Sequence, residues 1–322
     1  MSALRALRNL LWRFLKGEKM EKIRVGIVGL GNLGAACKEL VESRADEFEL
    51  VAVFSRRKVD GTVLLDDIEK YKSKIDVVLV CVGSKDDAPV LVPGLAANFN
   101  TVDSFDTHAK LAEYIKSIKP HGVSIVATGW DPGLMSVVRM YFGASIPSGP
   151  TQSFWGPGVS MGHTNACRQI EGVTDAIQFT VPVQKMMEQA AKGVTLESNK
   201  KHQRVCYVVA EKENRARIKE TILNMPDYFA GQDVKVNFVS QAAFDKKFRN
   251  RNEHEGAVIS ADESSTAMFG LTLKSNARFT ASVMLAYAIA NYNLQKAGQK
   301  GVFTVADIAP KYLFRGDRLD LI

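Results

Sequence analysis

A glycine-rich turn between a predicted strand and a predicted helix most constrains the fold of this chain. The apolar run Ile23–Val28 leads into Gly29-Leu30-Gly31-Asn32-Leu33-Gly34, and residues 33–44 have a helical pattern. In this setting the first glycine permits a tight turn, the second leaves room for a pyrophosphate, and the third lets helix and strand pack closely. The free amide groups at the start of the helix attract an anion. The segment predicts a dinucleotide site, with a purely structural glycine turn as the alternative.

The residues that follow the next predicted strand, 49–54, indicate which dinucleotide binds. Sites for NAD usually carry an acidic residue about 20 positions beyond the glycines, where it binds the ribose 2′-hydroxyl. This chain has Ser55, Arg56, Arg57 and Lys58 at that place. A hydroxyl and two guanidinium groups would bind a 2′-phosphate, whereas a carboxylate would repel it. The pattern therefore predicts NADP as the cofactor; a solvated basic loop is the alternative.

The composition is typical of a soluble globular protein with more than one domain. The chain has 322 residues, of which 46% are hydrophobic and 24% are charged, and this length is enough for two domains. No apolar run approaches the roughly 20 residues that span a bilayer. The cysteines are widely scattered, with no CxxC pair and no metal-ligand spacing: Cys37, Cys81, Cys167 and Cys206. We expect buried free thiols, no metal site and a cytoplasmic location.

The positive charge is concentrated at the start of the chain. Of the net charge of +7, residues 1–19 contribute +4 and the remainder +3. No basic stripe alternates with aromatic residues, so a nucleic-acid function is excluded. Residues 1–19 form an amphipathic basic pattern, which is compatible with a membrane-surface helix or a targeting peptide. A dispensable extension or an upstream start is the favoured interpretation, because a compact domain could begin at Met20.

Strands and helices alternate after Met20. The run Ile75-Asp76-Val77-Val78-Leu79-Val80-Cys81 is nearly all apolar, as expected of a parallel strand that is buried on both faces. Further strands are predicted at 100–103 and 123–128, which together predict a doubly wound α/β fold with a parallel sheet. Asp103, Asp106 and Asp131 come at or just past strand ends, where we expect the sheet to present them to one cleft. Helix capping or turn formation is the alternative role for each.

A second domain of different character is predicted from the middle of the chain. Strand-like runs at 176–181, 205–209 and 234–239 are separated by polar, irregular stretches, which predicts a mixed α+β domain carrying a substrate pocket and a dimer interface. An amphipathic helix at 279–296 is expected to pack back on the first domain. We therefore predict an extension at 1–19, a discontinuous dinucleotide-binding domain at 20–125 and 275–322, and a substrate-binding and dimerisation domain at 126–274.

Several segments go beyond the general pattern of a dinucleotide-binding fold. They are Val28-Gly29-Leu30-Gly31-Asn32-Leu33-Gly34, Phe54-Ser55-Arg56-Arg57, Val102-Asp103-Ser104-Phe105-Asp106, Thr128-Gly129-Trp130-Asp131-Pro132-Gly133, Phe154-Trp155-Gly156-Pro157-Gly158, Met225-Pro226-Asp227-Tyr228-Phe229 and Phe279-Thr280-Ala281-Ser282. With them the chain resembles the meso-diaminopimelate D-dehydrogenase family over residues 20–310. The resemblance implies reversible oxidative deamination of the D-centre of meso-2,6-diaminopimelate, in which NADP+ takes the hydride and the products are L-2-amino-6-oxopimelate, ammonia and NADPH. It also implies a role in lysine and diaminopimelate metabolism and a homodimer.

The resemblance also implies which residues bind the cofactor. Residues 30–33 would lie under the pyrophosphate, Ser55, Arg56 and Arg57 would hold the 2′-phosphate, and residues 81–84 and 104–106 would border the nicotinamide. The full cofactor set is Gly29, Leu30, Gly31, Asn32, Leu33, Ser55, Arg56, Arg57, Cys81, Val82, Gly83, Ser84, Ser104, Phe105, Asp106, Thr128, Gly129, Trp130, Asp131 and Pro132.

The residues implied for the substrate suit a molecule with two carboxylates and two ammonium groups. They are Asp106, Asp131, Trp155, Met161, Gly162, Thr180, Arg204, His254 and Asn276. Arg204 can bind a carboxylate through its fork of N–H donors. Asp106 and Asp131 can hold the reacting ammonium and take up a proton, and the sequence does not decide which of them is the base.

One residue departs from the family pattern and leaves the substrate range open. Met161 stands where some members carry a polar amide, and a thioether cannot replace the hydrogen bonds of an amide. Activity on other D-amino acids is therefore an open alternative. Two further functions stay open on this fold: reduction of an aldehyde or cyclic imine, and a non-enzymatic module that senses NADP. The acidic pair and the tryptophans Trp130 and Trp155 favour an amine substrate.

Overall fold

A computed structural model describes residues 21–316, 318 and 321–322 of the chain. Its strands are β1 (Ile23–Val28), β2 (Phe48–Ser55), β3 (Val63–Leu64), β4 (Val77–Val80), β5 (Thr101–Asp103), β6 (Val123–Val126), β7 (Thr151–Trp155), β8 (Gly158–Val159), β9 (Val173–Pro182), β10 (His202–Ala210), β11 (Asp233–Phe238), β12 (His254–Ala261), β13 (Thr266–Leu273) and β14 (Gly301–Thr304). Its α-helices are α1 (Asn32–Ser43), α2 (Ala88–Ala96), α3 (Leu111–Ser117), α4 (Leu134–Ser145), α5 (Met161–Arg168), α6 (Gln184–Ala190), α7 (Arg215–Leu223), α8 (Gln241–Lys247) and α9 (Asn276–Lys296).

The chain divides into two compact units. The first unit comprises the described residues up to Ser136 together with Ala277–Ile322, and the second comprises Val137–Asn276. The extension predicted at 1–19 lies outside the described residues. In the part of the chain that the structure describes, no helix is both long and apolar enough to cross a membrane.

The first unit is built on a seven-stranded sheet in the order β14-β6-β5-β4-β1-β2-β3, in which every strand pair is parallel. The strand order reverses next to β1, which is where ligands bind in sheets of this kind. Val28, the last residue of β1, is in register with Phe54 and with Val80, so the three strands end together. All four residues of β4 are buried, as the apolar run predicts. The predicted doubly wound α/β fold is confirmed.

Helix α9 packs against this sheet through a buried amide. The side chain of Asn291 is fully buried, and its Nδ2 donates to the backbone oxygens of Thr101 at 3.0 Å and Val123 at 3.1 Å. Its Oδ1 accepts from Gln295 at 2.7 Å. Because a buried amide is costly unless it is paired, these bonds fix the position of α9 along β5 and β6.

The second unit contains two smaller sheets. One has four strands in the order β11-β10-β9-β8, and the other has three in the order β13-β12-β7. Only the β10–β11 pair is parallel, and the remaining pairs are antiparallel. The predicted mixed α+β character of the second domain is confirmed. The hairpin formed by β12 and β13 was not predicted, and neither was the short strand β8.

All four cysteines are buried and free, as the sequence predicts. The fold nevertheless brings together residues that are far apart in the chain. The Sγ atoms of Cys37 and Cys81 are 3.5 Å apart, and Cys167 and Cys206 belong to one buried apolar cluster of the second unit. Scattered spacing in a sequence does not prevent such pairing, because the sheet brings distant strands and helices into contact.

Candidate active site

The turn after β1 has the geometry that a phosphate-binding loop needs. Gly29 has φ +95°, and a Cβ there would lie 2.6 Å from the backbone oxygen of Cys81. A Cβ on Gly34 would collide with the backbone oxygen of Gly29, whereas one on Gly31 would meet nothing within 4 Å. The outer two glycines are therefore required by packing, and the middle one leaves open space. No side chain caps the N-terminus of α1, so its first amide groups are available to an anion.

A cleft opens beside this turn, at the carboxyl ends of β1, β2 and β4. It is lined by Val28, Gly29, Leu30, Gly31, Phe54, Ser55, Arg56, Arg57, Val59, Leu65, Cys81, Val82, Gly83, Asp87 and Leu91. The structure thus brings together nine of the predicted cofactor residues: Gly29, Leu30, Gly31, Ser55, Arg56, Arg57, Cys81, Val82 and Gly83. The predicted cofactor set omitted Val28 and Phe54, which lie near the ends of β1 and β2. It also omitted Val59, Leu65, Asp87 and Leu91, which lie in the segments after β2 and β4 and carry no motif of their own.

The edge of the cleft where a 2′-phosphate is expected is basic. Arg56 and Arg57 follow the last residue of β2, and the backbone amide of Arg57 donates to the Oγ of Ser55 at 3.3 Å. The guanidinium of Arg56 forms an ion pair with Asp87, just before α2. This partner lies 31 positions along the chain, so the glycine and arginine motifs give no sign of it.

The three aspartates at strand ends do not share one role. Asp106 is exposed and Asp131 is half-buried, but Asp103 is only 1% exposed. The expectation that Asp103 faces the cleft is wrong, because its carboxylate accepts bonds from Tyr114 and from the backbone of Phe105 and Ala127. Burial raises the pKa of Asp103 to about 6. Unlike Asp103, Asp106 and Asp131 keep part of their surface exposed to solvent.

The loop that carries Asp131 is closed on itself. The backbone amide of Met135 donates to the backbone oxygen of Trp130 at 2.9 Å, and that of Leu134 donates to Gly129 at 3.1 Å. The Asp131–Pro132 peptide bond is cis. The two hydrogen bonds define the path of the backbone on both sides of Asp131.

The remaining predicted cofactor residues lie outside the lining of the cleft, and they are Asn32, Leu33, Ser84, Ser104, Phe105, Asp106, Thr128, Gly129, Trp130, Asp131 and Pro132. Several of them contact other residues of the first unit. The ring of Phe105 is buried and stacks on Tyr114, the hydroxyl of Thr128 donates to the backbone oxygen of Asp103 at 2.8 Å, and the hydroxyl of Ser84 accepts from the amide of Asp106 at 3.2 Å.

The second unit holds a half-buried guanidinium with neutral partners. Arg204 on β10 is in register with Thr180 on β9; its Nη1 donates to the Thr180 Oγ1 at 2.5 Å and its Nε donates to the Gln232 Oε1 at 2.7 Å. Burial lowers the pKa of Arg204. Among the described residues no Asp or Glu forms an ion pair with Arg204. A half-buried cation whose described partners are neutral can bind a carboxylate.

Two histidines near Arg204 stay neutral. His202 accepts a bond on its Nε2 from the amide of Trp155 at 2.9 Å, and its ring stacks on the indole at 5.3 Å. Burial and the charge of Arg204 lower the pKa of His202 to about 3 and that of His163 to about 4. Sequence reasoning missed His202, since a single histidine in a basic run gives no signal of the stacking contact.

The other predicted substrate residues of this unit lie on several elements. Met161 begins α5 and is 54% exposed, and a Cβ added to the neighbouring Gly162 would meet nothing within 4 Å. His254 begins β12, and its Nδ1 lies 3.1 Å from the backbone oxygen of Asn252. Asn276 is the first residue of α9. Thr180 is hydrogen-bonded to Arg204, as described above.

Comparisons with known proteins identify relatives that match most of the chain. Residues 129–275 match the family described as the diaminopimelic acid dehydrogenase C-terminal domain. The meso-diaminopimelate D-dehydrogenase of Lysinibacillus sphaericus is 42% identical over 310 residues, which cover 90% of this chain and 94% of the relative. The enzyme of that name from Acetivibrio thermocellus is 41% identical, and the match covers 92% of this chain and 96% of the relative.

A solved structure shows the same fold. The structure of C. glutamicum DAP dehydrogenase in complex with DAP matches with a TM-score of 0.87 and 36% identity, and the match covers 94% of this chain and 98% of that one. The matches to these relatives extend over both units of the chain. The chain belongs to the meso-diaminopimelate D-dehydrogenase family.

Proposed function

We propose that this protein is an NADP-dependent dehydrogenase that oxidatively deaminates the D-centre of meso-2,6-diaminopimelate and releases L-2-amino-6-oxopimelate, ammonia and NADPH. The observation that carries the proposal is the half-buried guanidinium of Arg204, whose hydrogen-bond partners among the described residues are the neutral side chains of Thr180 and Gln232. Such a group can bind a carboxylate of the substrate through its remaining N–H donors. The curated relatives are named for this reaction, and one related structure contains DAP.

The residues of the cleft fit NADP. The space at Gly31 and the uncapped start of α1 suit a pyrophosphate. Ser55, Arg56 and Arg57 supply a hydroxyl and two guanidinium groups for the 2′-phosphate. A related engineered D-amino acid dehydrogenase, 34% identical with a TM-score of 0.81, was solved bound to NADP+. When bound, NADP+ accepts the hydride.

The side chains of the protein bind the substrate, orient its reacting carbon and accept a proton from it. Arg204 and Thr180 hold a carboxylate of the substrate, with His254 and Asn276 as further polar partners. The carboxylates of Asp106 and Asp131 hold the ammonium group of the D-centre and take up the proton that it loses as the Cα–H bond breaks. The resulting imine then adds water and releases ammonia. Trp155, fixed by His202, provides an apolar wall that orients the reacting carbon.

We also propose that the protein is a homodimer in the cytoplasm, as the family resemblance suggests. The four free thiols agree with a reducing compartment. Sedimentation of the purified protein tests the first statement, since a dimer has twice the mass of the 35.4 kDa chain. Fractionation of the native cells tests the second.

The experiment for the proposed reaction uses the full chain. The protein is mixed with NADP+ and meso-diaminopimelate at alkaline pH, the formation of NADPH is followed by absorbance, and ammonia is measured in the same sample. Equal amounts of NADPH and ammonia are expected. If neither forms while an aldehyde or a cyclic imine consumes NADPH, the protein is a reductase instead. If no substrate is turned over but NADP+ binds, it is a nucleotide sensor.

A further inference from the structure

The buried carboxylate of Asp103 links two loops of the first unit. Its Oδ1 accepts from the backbone amide of Phe105 at 2.9 Å and from that of Ala127 at 3.3 Å. The first of these bonds closes the turn that leads to Asp106. The second reaches across to the loop after β6, which leads to Asp131. The side chain of Asp103 therefore holds the backbone of both loops, the one that leads to Asp106 and the one that leads to Asp131.

The loop after β6 is held in an uncommon conformation by the same residue. Ala127 has φ +59°, in the left-handed region that a residue with a Cβ seldom adopts. The next residue, Thr128, donates to the backbone oxygen of Asp103 twice, from its amide at 2.9 Å and from its hydroxyl at 2.8 Å. Strain of this kind persists only where the surroundings define the conformation. Here the side chain and the backbone of Asp103 do so.

The second oxygen of the carboxylate is held by Tyr114. The phenolic hydroxyl donates to the Asp103 Oδ2 at 2.9 Å, and the ring of Tyr114 stacks on Phe105 with the centroids 4.0 Å apart. Both rings are almost fully buried. The hydroxyl of Ser84 adds a further bond to the amide of Asp106 at 3.2 Å. Both carboxylate oxygens of Asp103 therefore accept hydrogen bonds from within the first unit.

We propose that Asp103 is a positioning residue for the reaction, acting through the two loops that carry Asp106 and Asp131. The inference rests on the proposed function, because it is Asp106 and Asp131 that hold the reacting ammonium there. Asp103 binds neither substrate nor cofactor. Its carboxylate sets the backbone of residues 104–106 and 127–128, and thereby the relative placement of the two catalytic carboxylates.

Three variants separate placement from charge. Asp103→Ala removes the acceptor of both amides, and misplacement of catalytic groups by about 1 Å is expected to lower kcat about 100-fold. The affinity for NADP+ is expected to stay within about threefold, because the cleft does not include Asp103. Asp103→Asn keeps an oxygen for the two amides and is expected to retain kcat within about tenfold of the wild type. Tyr114→Phe, which removes one donor, is used if Asp103→Ala does not fold, and a loss of about tenfold is expected.

Asp76 provides the matched control. Like Asp103, it accepts from a backbone amide, that of Arg24 at 2.8 Å, and its Oδ1 forms an ion pair with the same arginine. It precedes β4, at the edge of the sheet opposite to the cleft. Asp76→Asn is expected to lower the stability of the first unit and to leave kcat unchanged. If Asp76→Asn loses as much kcat as Asp103→Ala does, general destabilisation explains the loss, and the proposal is overturned.

Hydrogen exchange provides a readout that does not depend on turnover. In Asp103→Ala the amides of Phe105 and Ala127 are expected to exchange at least about tenfold faster, with little change in β1 and α1. Unchanged exchange, or a kcat within threefold of the wild type, would contradict the proposal. Complete loss of activity in Asp103→Asn with normal exchange would also contradict it, because charge rather than placement would then matter. If the wild type does not oxidise meso-diaminopimelate, the proposed function fails, and exchange alone decides whether Asp103 holds the loops.

Discussion

The guanidinium of Arg56 lies 2.7 Å from the carboxylate of Asp87 at the edge of the nucleotide cleft. The Arg56 side chain is 63% exposed, and ion pairs with such exposure contribute at most about 1 kcal/mol to stability. The pair therefore orients Arg56 without committing all of its donors. The remaining N–H groups of the fork can bind a phosphate, which favours NADP over NAD.

Arg56→Glu is expected to weaken binding of NADP+ about 100-fold, because it places a carboxylate where a 2′-phosphate would lie. Binding of NAD+, which has no such phosphate, should change by less than about threefold. Calorimetric titration of both cofactors measures the difference. Arg44→Glu is a control, because Arg44 pairs with Glu47 outside the cleft and its loss should affect neither cofactor. An equal effect of Arg56→Glu on both cofactors would contradict the assignment.

Arg204→Met should raise the KM for meso-diaminopimelate about 100-fold, since a charged bidentate bond to the substrate is lost. NADP+ binding is expected to be unchanged. Arg168→Met is the matched control, because Arg168 belongs to the same unit and already pairs with Asp175. Steady-state kinetics with both variants decide the matter. A normal KM in Arg204→Met would remove Arg204 from the substrate site.

The stability of the protein should fall in acid as the two neutral histidines become protonated. The pKa values of His163 and His202 in the folded state are about 4 and about 3, below the ordinary value of 6.5. An unfolded chain takes up protons first, so their contribution is complete above about pH 6.5 and is lost as the pH falls towards 3. The raised pKa of Asp103 acts in the opposite direction, since that contribution is complete below about pH 4 and is lost as the pH rises through 6.

Urea unfolding at several pH values measures the free energy of unfolding of the wild type and of His202→Gln. Because both proteins contain Asp103, its contribution cancels in the difference between them. The variant should be less stable at pH 7 and should lose less stability between pH 6.5 and 4. Parallel curves for the two proteins would show that His202 is not held neutral by the fold.

Met161→Gln should narrow the substrate range. The amide restores hydrogen-bonding capacity at the start of α5, where Met161 is exposed, so meso-diaminopimelate should gain relative to simple D-amino acids. We expect the ratio of the kcat/KM values to rise about tenfold, the effect of one added polar contact. Met268→Gln, also at an exposed methionine of this unit, should leave the ratio unchanged. A ratio that does not change in Met161→Gln would exclude this residue as a determinant of specificity.

Local patterns in the sequence were sufficient to predict the nucleotide-binding part of the fold. The spacing of Gly29, Gly31 and Gly34 corresponds directly to a turn, an open space and a close packing contact, and the apolar run at 77–80 corresponds to a buried parallel strand. The pattern that predicts each of these features is carried by residues close together in the chain. For this reason they are visible before any tertiary structure is known.

The roles that depend on distant partners could not be predicted in this way. The position of Asp103 at a strand end predicts a cleft residue, but its buried carboxylate accepts from the backbone amide of Ala127, 24 positions away. His202 gave no signal because its partner Trp155 precedes it by 47 positions. In both cases the burial of the side chain decides its role, and burial is set by how elements pack rather than by the local pattern.

The most direct test of the account follows the hydrogen that leaves the substrate. Meso-diaminopimelate labelled with deuterium at the D-centre, and separately at the L-centre, is oxidised with NADP+, and the isolated NADPH is analysed by mass spectrometry. The account predicts deuterium in NADPH only from the D-centre label. Deuterium from the L-centre, or no reduced cofactor from either substrate, would contradict it.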